Sequence, residues 1–280
     1  MSKRFTYWNS ISSRKYYLDL FPGAFQCIAV RLESSTYTGS LFEIRRDSDN
    51  AFDGFLPDFQ GLFSLFSRNS SGEYLSAWVG SNNGFIYKGK DQTGNGNDFV
   101  QATLGNQPKI INAGVLLVDN NGLAAPTYDG TNSRFNVSTG FNGHAVLNND
   151  YVLTTSDTTF LLFSGIGTNN VSFSSQSGSS NTLISNRYGS IDVYVDGTIV
   201  SPRNRGAIYT AVNGVSKVVT EEKANTTELG WSNLNITFGY YRFGGFSFNG
   251  ICQFVASFAS DQSASRTART TYLNTYYPPS

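Results

Sequence analysis

The stretch Ile191-Asp192-Val193-Tyr194-Val195-Asp196-Gly197-Thr198-Ile199-Val200 constrains the fold more than any other. Apolar and polar side chains alternate on both sides of Asp196-Gly197, which is the period of a strand with one buried face. Asp and Gly accept the positive φ values that a two-residue hairpin turn demands. The chain must therefore build antiparallel sheet here. Residues 41–46 repeat the alternation, and residues 24–32, 151–155, 159–163, 235–241 and 246–255 are rich in β-branched and aromatic side chains. Composition agrees, with 15% aromatic residues, 14% charged residues and 28 Gly in 280 residues. A disordered chain shows the reverse balance, with few aromatics and many charges. An all-β fold with a large core is expected.

Two helices are expected as well. Ser260-Asp261-Gln262-Ser263 offers an N-cap, and residues 264–276 place Ala264, Ala268, Tyr272 and Tyr276 on one stripe before Pro278-Pro279 ends it. Residues 58–66 would form a shorter helix with Phe59, Leu62, Phe63 and Phe66 on one face. Residues 172–181 are Ser-rich and read as an exposed loop. No linker divides the sequence, so residues 21–280 are expected to form one domain. Residues 1–20 carry Arg4, Tyr7, Trp8, Arg14, Lys15, Tyr16 and Tyr17. They read either as a docking arm for a partner or as a first strand.

Charge and hydropathy exclude several classes. Lys+Arg and Asp+Glu are both 20, so the basic surplus that phosphate binding needs is missing and no nucleic-acid partner is expected. No run of about 18 apolar residues exists, so no membrane insertion is expected. The first residues lack the apolar core of a signal peptide. Conventional secretion is therefore not expected. Cys27 and Cys252 lie at opposite ends of the chain and make no zinc spacing. They are either two buried thiols or a disulfide between the first and last strands. The single histidine, His144, has no nucleophile elbow near it in sequence. Calcium is the one cofactor the sequence leaves room for. Asp91, Asn95, Asn97 and Asp98 offer oxygen ligands on a Gly-rich turn. The same residues also favour such turns by bonding their own backbone.

Several motifs occur together and in order. Residues 37–50 open the series. Asp91-Gln92-Thr93-Gly94-Asn95-Gly96-Asn97-Asp98 follows, with Gln101-Ala102-Thr103 and Asn106-Gln107-Pro108-Lys109-Ile110 after it. Pro126-Thr127-Tyr128-Asp129-Gly130-Thr131, Phe248-Asn249-Gly250 and residues 260–266 complete the set. The set resembles the concanavalin A-like (laminin-G-like) sandwich proteins of bacteriophage virions. The Asp91–Asp98 motif is also similar to one in the sandwich catalytic domain of α-L-arabinofuranosidases. In both relatives Trp-Tyr usually precedes that motif, whereas Gly89-Lys90 stands here.

The first resemblance implies a concanavalin A-like jelly-roll β-sandwich with a short C-terminal helix. It further implies a virion structural protein, a fibre, spike, decoration or tail component, assembled in the host cytoplasm. Other virion proteins, further copies of the chain and host-surface glycans would be its partners. The alternative is a bacterial polysaccharide-binding module or glycosidase. Sugar contact would fall on Tyr240, Tyr241, Phe243 and Phe246, which flank Gly239 and Gly244-Gly245, and on Trp78. Core packing is the competing and favoured reading of each of these aromatics, because sandwiches bury alternate aromatics. The arabinofuranosidases place a Glu nucleophile in the middle of the sandwich. The six Glu here are Glu33, Glu43, Glu73, Glu221, Glu222 and Glu228, and none lies between Glu73 and Glu221. Asp192 and Asp196 read as strand-surface and turn residues. No enzymatic activity is therefore expected.

Overall fold

A computed structural model describes residues 14–137, 148–155, 159–161, 163–164, 174–176, 185–186, 189–202, 205–212, 214–223, 237–239 and 247–279. The strands that carry the architecture are β1 (Ala24–Ala29), β2 (Phe42–Arg46), β3 (Gly84–Gly89), β4 (Lys109–Asn112), β5 (Thr127–Asp129), β6 (Asn148–Thr155), β7 (Gly189–Val195), β8 (Lys217–Lys223) and β9 (Asn249–Phe258). The helices are α1 (Tyr17–Leu20), α2 (Leu75–Val79), α3 (Arg205–Val212) and α4 (Arg266–Tyr276).

The hairpin dictated by Asp196-Gly197 forms. Val195 pairs with Thr198, and the two turn residues hold φ of 49° and 82°. β7 then joins an antiparallel array in the order β1–β9–β6–β8–β7. A second antiparallel array runs β2–β3–β4–β5, with Phe52–Phe55 on its edge. Hydrogen bonds between β5 and the start of β9 join the two. Alternation puts Ile44, Ile86 and Ile110 on one face of the second array, all fully buried. Ile28 and Val255 of the first array and Phe42 and Ile86 of the second line one small internal cavity, together with Phe99, whose two-residue strand Phe99–Val100 pairs with β3. Gly89 permits that approach, because a Cβ there would stand 2.9 Å from Ile28 Cγ2. The fold is all-β, consistent with a sandwich, and carries the expected short C-terminal helix. The described strand connections do not by themselves establish a jelly-roll path.

The other face of the first array is covered by α1 and α4. Tyr17 packs its ring 4.8 Å from Phe254 and 5.6 Å from Tyr272. Residues 1–13 lie outside the described residues. Tyr17, however, is fully buried, so at least the end of the expected arm belongs to the core. The stripe expected on α4 holds in its second half only, where Tyr272 is buried and Tyr276 packs against the core. Ala264 and Ala268 are exposed, while Arg269, Tyr272 and Leu273 face the sheet. The helix expected at residues 58–66 does not form. Asp58 Oδ1 accepts the amides of Gln60 and Leu62, and Oδ2 accepts the Ser64 hydroxyl, which closes a turn instead. Phe59 and Phe66 are left exposed. Within the expected loop at 172–181, Ser174–Gln176 pairs with Thr159–Leu161.

Cys27 and Cys252 are both free and buried. Cys27 pairs with Ala256, four residues along β9 from Cys252. At about 3.3 Å per residue that offset far exceeds the 7 Å limit between bridged Cα atoms. Among the described residues, no helix is long and apolar enough to cross a membrane.

Candidate functional site

The inner face of the first array carries two neighbouring rows of side chains. One is Ile28, Val255, Tyr151, Val219 and Val195, each paired with the next across adjacent strands. This row is apolar except for one phenol. Two residues further along each strand, on the same face, stand Gln26, Ser257, Asn149, Glu221 and Val193 in matching register. Four of these five are polar. Gln26 and Ser257 are 0% exposed, Glu221 1% and Asn149 2%.

Hydrogen bonds tie the polar row together. The Ser257 hydroxyl donates to Asn149 Oδ1 at 2.7 Å. Asn149 Nδ2 donates to Glu221 Oε2 at 2.9 Å, and the Tyr151 hydroxyl reaches the same oxygen at 3.1 Å. Gln26 Nε2 donates to the Asn97 carbonyl, which links the row to the 91–98 turn. Gln26 Oε1 and Asn97 Oδ1 are buried acceptors without a hydrogen bond. The row is a buried layer of amides, a hydroxyl and a carboxylate, groups of the kind that bond hydroxyls. Among the described residues of these five strands, Glu221 is the one carboxylate on this face. Asp150, Asp192 and Glu222 fall on the opposite face by alternation.

That opposite face holds a second buried network, beneath α4. Arg269 Nε donates to Asp150 Oδ2 at 2.7 Å with both side chains fully buried. Tyr17 and Thr220 also donate to Asp150. Glu33 accepts from Tyr272 at 2.6 Å and Tyr277 at 2.7 Å, and pairs with Arg31 at 3.2 Å. Burial pushes the Glu33 carboxyl above its ordinary range, against the pull of Arg31 and the tyrosines. Burial likewise raises Glu222, against Arg266 and Arg269. These partners lie on α1, on α4 and the residue after it, on β6 and β8, and on residues 31–33 just after β1, so this network fastens the helix to the sheet.

The candidates read from the sequence fare differently. Asp91 is buried, and its carboxylate accepts the amides of Cys27, Thr93 and Asn97 and the Thr93 hydroxyl. Asp98 accepts the Asp91 amide and the Lys90 ammonium, each within 2.8 Å. Asn95 and Asn97 donate their side-chain amides to the Phe25 carbonyl. The four residues do come together, as a clasp on β1. The carboxylate oxygens face N–H and O–H donors, the reverse of what a cation presents. Trp78 is corrected as a sugar platform. It is 8% exposed, edge-on to Phe55, with the Arg46 guanidinium 4.7 Å above its ring. Tyr240, Tyr241, Phe243, Phe246 and His144 lie outside the described residues. Asp196 is the turn residue expected, paired with Lys217 at 2.7 Å. The sequence reading missed Glu221 because it sought a mid-chain glutamate. Its flanks, Thr220-Glu221-Glu222, gave no sign that the carboxylate turns inward.

No family model and no curated protein matches the chain. Solved structures do. An arabinofuranosidase complexed with arabinofuranosyl-α-1,2-xylobiose shares the fold at a TM-score of 0.51 and 15% identity, over 89% of this chain and 61% of that one. A mutant family-54 (GH54) α-L-arabinofuranosidase soaked with 4-nitrophenyl α-L-arabinofuranoside matches at 0.49 and 13%, over 89% and 62%. The same kind of enzyme soaked with a cyclic sulfate inhibitor matches at 0.47 and 13%, also over 89% and 62%. The chain thus spans about three-fifths of the length of these structures. None of them is a virion protein, and nothing in the comparisons supports a bacteriophage origin. They overturn the expectation of no enzymatic activity, since the solved structure nearest in fold among these is a glycosidase.

Proposed function

We propose that this chain is a carbohydrate-active, concanavalin A-like sandwich that cleaves glycosidic bonds, with the Gln26–Ser257–Asn149–Glu221 row as the sugar floor. The observation that carries this reading is the inward-facing Glu221. A buried carboxylate costs several kcal/mol unless it is paired or well hydrogen-bonded. An inner sheet face devoted only to packing would continue the apolar row of Ile28, Val255 and Val219. Breaks of this kind in an otherwise consistent core concentrate at functional sites.

The geometry suits a reacting carboxylate. Asn149 and Tyr151 grip one oxygen of Glu221 from two residues, which fixes the plane of the group. A fixed carboxylate can attack an anomeric carbon or position a water for that attack. Both routes need a second carboxyl group, about 5–9.5 Å away, to protonate the leaving oxygen. That acid must come from outside the inner face of the five strands. The likeness to a glycosidase structure supports the reaction class, at the level of fold.

The test is hydrolysis by the purified chain. Substrates are 4-nitrophenyl α-L-arabinofuranoside, a panel of 4-nitrophenyl pyranosides, and arabinan and arabinoxylan assayed for reducing ends. Glu221→Gln is expected to lower kcat/KM by about 10²–10⁴-fold. Absence of hydrolysis across the panel, or hydrolysis indifferent to Glu221→Gln, would overturn the reading.

A further inference from the structure

The second array carries a row of its own on its outer face. Arg45 pairs with Phe85, Phe85 with Lys109, and Lys109 with Thr127, across β2, β3, β4 and β5. Their neighbours Ile44, Ile86 and Ile110 point into the core, so these four point out. They line a cleft of about 680 Å³ together with Gln107 and Asp129, within the range of small-molecule sites. The Arg45 guanidinium lies 4.7 Å from the Phe85 ring centre, and the Lys109 ammonium 5.5 Å from it.

Neither cation has an acidic partner. Arg45 is 5% exposed, yet it donates only to the neutral oxygens of Gln107 at 2.6 Å and Asn50 at 2.9 Å. Lys109 reaches only Asn112 Oδ1, at 3.3 Å. Neither enters an ion pair with a described residue. Two acids edge the cleft, and amides engage both carboxylates. Asp47 accepts the Asn83 backbone and side-chain amides. Asp129 Oδ1 accepts the amides of Thr131, Asn132 and Ser133, each at 2.9 Å. A buried guanidinium normally has an anion beside it, because burial without one is costly. Burial holds Arg45 below its ordinary value, although Asp47 pulls the other way.

We infer that this cleft is a binding site for a carboxylate-bearing saccharide, a uronate residue whose carboxylate seats between Arg45 and Lys109. The Gln107 amide, which accepts from Arg45 and donates to the Gln101 carbonyl, keeps a second N–H, and the Thr127 hydroxyl, which donates to the Ala125 carbonyl, keeps a lone pair for its ring hydroxyls. Only the sugar half of this inference rests on the glycan-active reading. The anion half rests on the two cations. The site faces away from the core, and so away from Glu221, and would hold an acidic polysaccharide while a different segment is cleaved.

The experiment is a calorimetric titration of the intact chain with trigalacturonate, with a neutral trisaccharide, and with sodium acetate and inorganic sulfate. Trigalacturonate is expected to bind at least tenfold more tightly than the neutral sugar or the small anions. Lys109→Gln, at a partly exposed position that the fold tolerates, should weaken binding by about tenfold. Arg45→Gln should weaken it further, with melting temperature reporting any loss of fold. Glu221→Gln should bind trigalacturonate as the parent does, which separates failure here from failure of the proposed activity. Equal binding of acetate or sulfate, equal binding of the neutral sugar, or unchanged binding by Lys109→Gln would overturn the inference.

Discussion

Asp91 shows how one side chain can specify a turn. Its carboxylate collects three backbone amides and one hydroxyl from residues on both sides of the Gly94–Gly96 bend and from β1. Gly94 and Gly96 hold φ of 83° and 76°, which side chains rarely tolerate. Removing the carboxylate would leave buried donors unpaired, at a cost of about 1–3 kcal/mol for each that water cannot reach. Asp91→Ala should therefore lose about 3 kcal/mol in urea unfolding. The loss should be the same in calcium and in EDTA, because the stabilising partners are protein donors. A calcium site held at about 1,000 times its Kd would instead add about 4 kcal/mol to the parent alone. Equal parent stability in the two buffers is the outcome this geometry demands.

At the scale of elements, α4 is fastened by charge as well as by packing. Glu33 faces Arg31, the Tyr17 amide, Tyr272 and Tyr277. Burial raises its carboxyl above the ordinary value of 4.5. A carboxyl raised in the fold favours folding when protonated. Its contribution is complete below the unfolded value and is lost as pH rises through the folded one. Stability should thus rise as pH falls from neutral toward 4.5, and Glu222 shifts in the same direction. Asp129 acts oppositely. Although burial alone would raise it, backbone amides hold it at about 2, so its contribution is lost as pH falls from 3.8 toward 2. Glu33→Gln should flatten the rise on mild acidification, as measured by melting temperature across that range. A rise of unchanged size would remove Glu33 as its source. This fastening also explains what the sequence showed and what it hid. Local chemistry fixed the Asp196-Gly197 hairpin and the extent of α4, and both appear where expected. The inward place of Arg269 on α4 was hidden, because it faces inward only when Asp150, more than a hundred residues away in sequence, waits there. The 58–66 segment misled for the converse reason. Its Phe spacing suited a helix, but the short carboxylate of Asp58 captured the backbone first.

For the whole molecule, the two arrays divide their labour by face. Inner faces hold the apolar core up to the row that ends it at Gln26, Ser257, Asn149 and Glu221. Outer faces hold the α4 fastening on one array and the Arg45–Lys109 cleft on the other. Glu221 was visible in the sequence only as one of six glutamates, since its direction depends on register with Asn149 and Val193 across three strands. Whether it serves the fold or serves chemistry can be decided by stability alone. If the carboxylate were structural, its removal would break a buried network, at about 3–5 kcal/mol. If it is kept for catalysis, the fold carries a desolvated charge that folding itself does not need. Gln at this position keeps an acceptor oxygen for Asn149 and Tyr151 and sheds the charge. Glu221→Gln is therefore expected to melt at or above the temperature of the parent while losing hydrolysis, as sites kept for activity commonly do. Glu221→Leu separates the terms further, because it leaves the Asn149 amide and the Tyr151 hydroxyl without that acceptor and should melt below Glu221→Gln. A fall of several kcal/mol for Glu221→Gln itself would place Glu221 with the fold, and the polar row would then be a structural feature of the sandwich end.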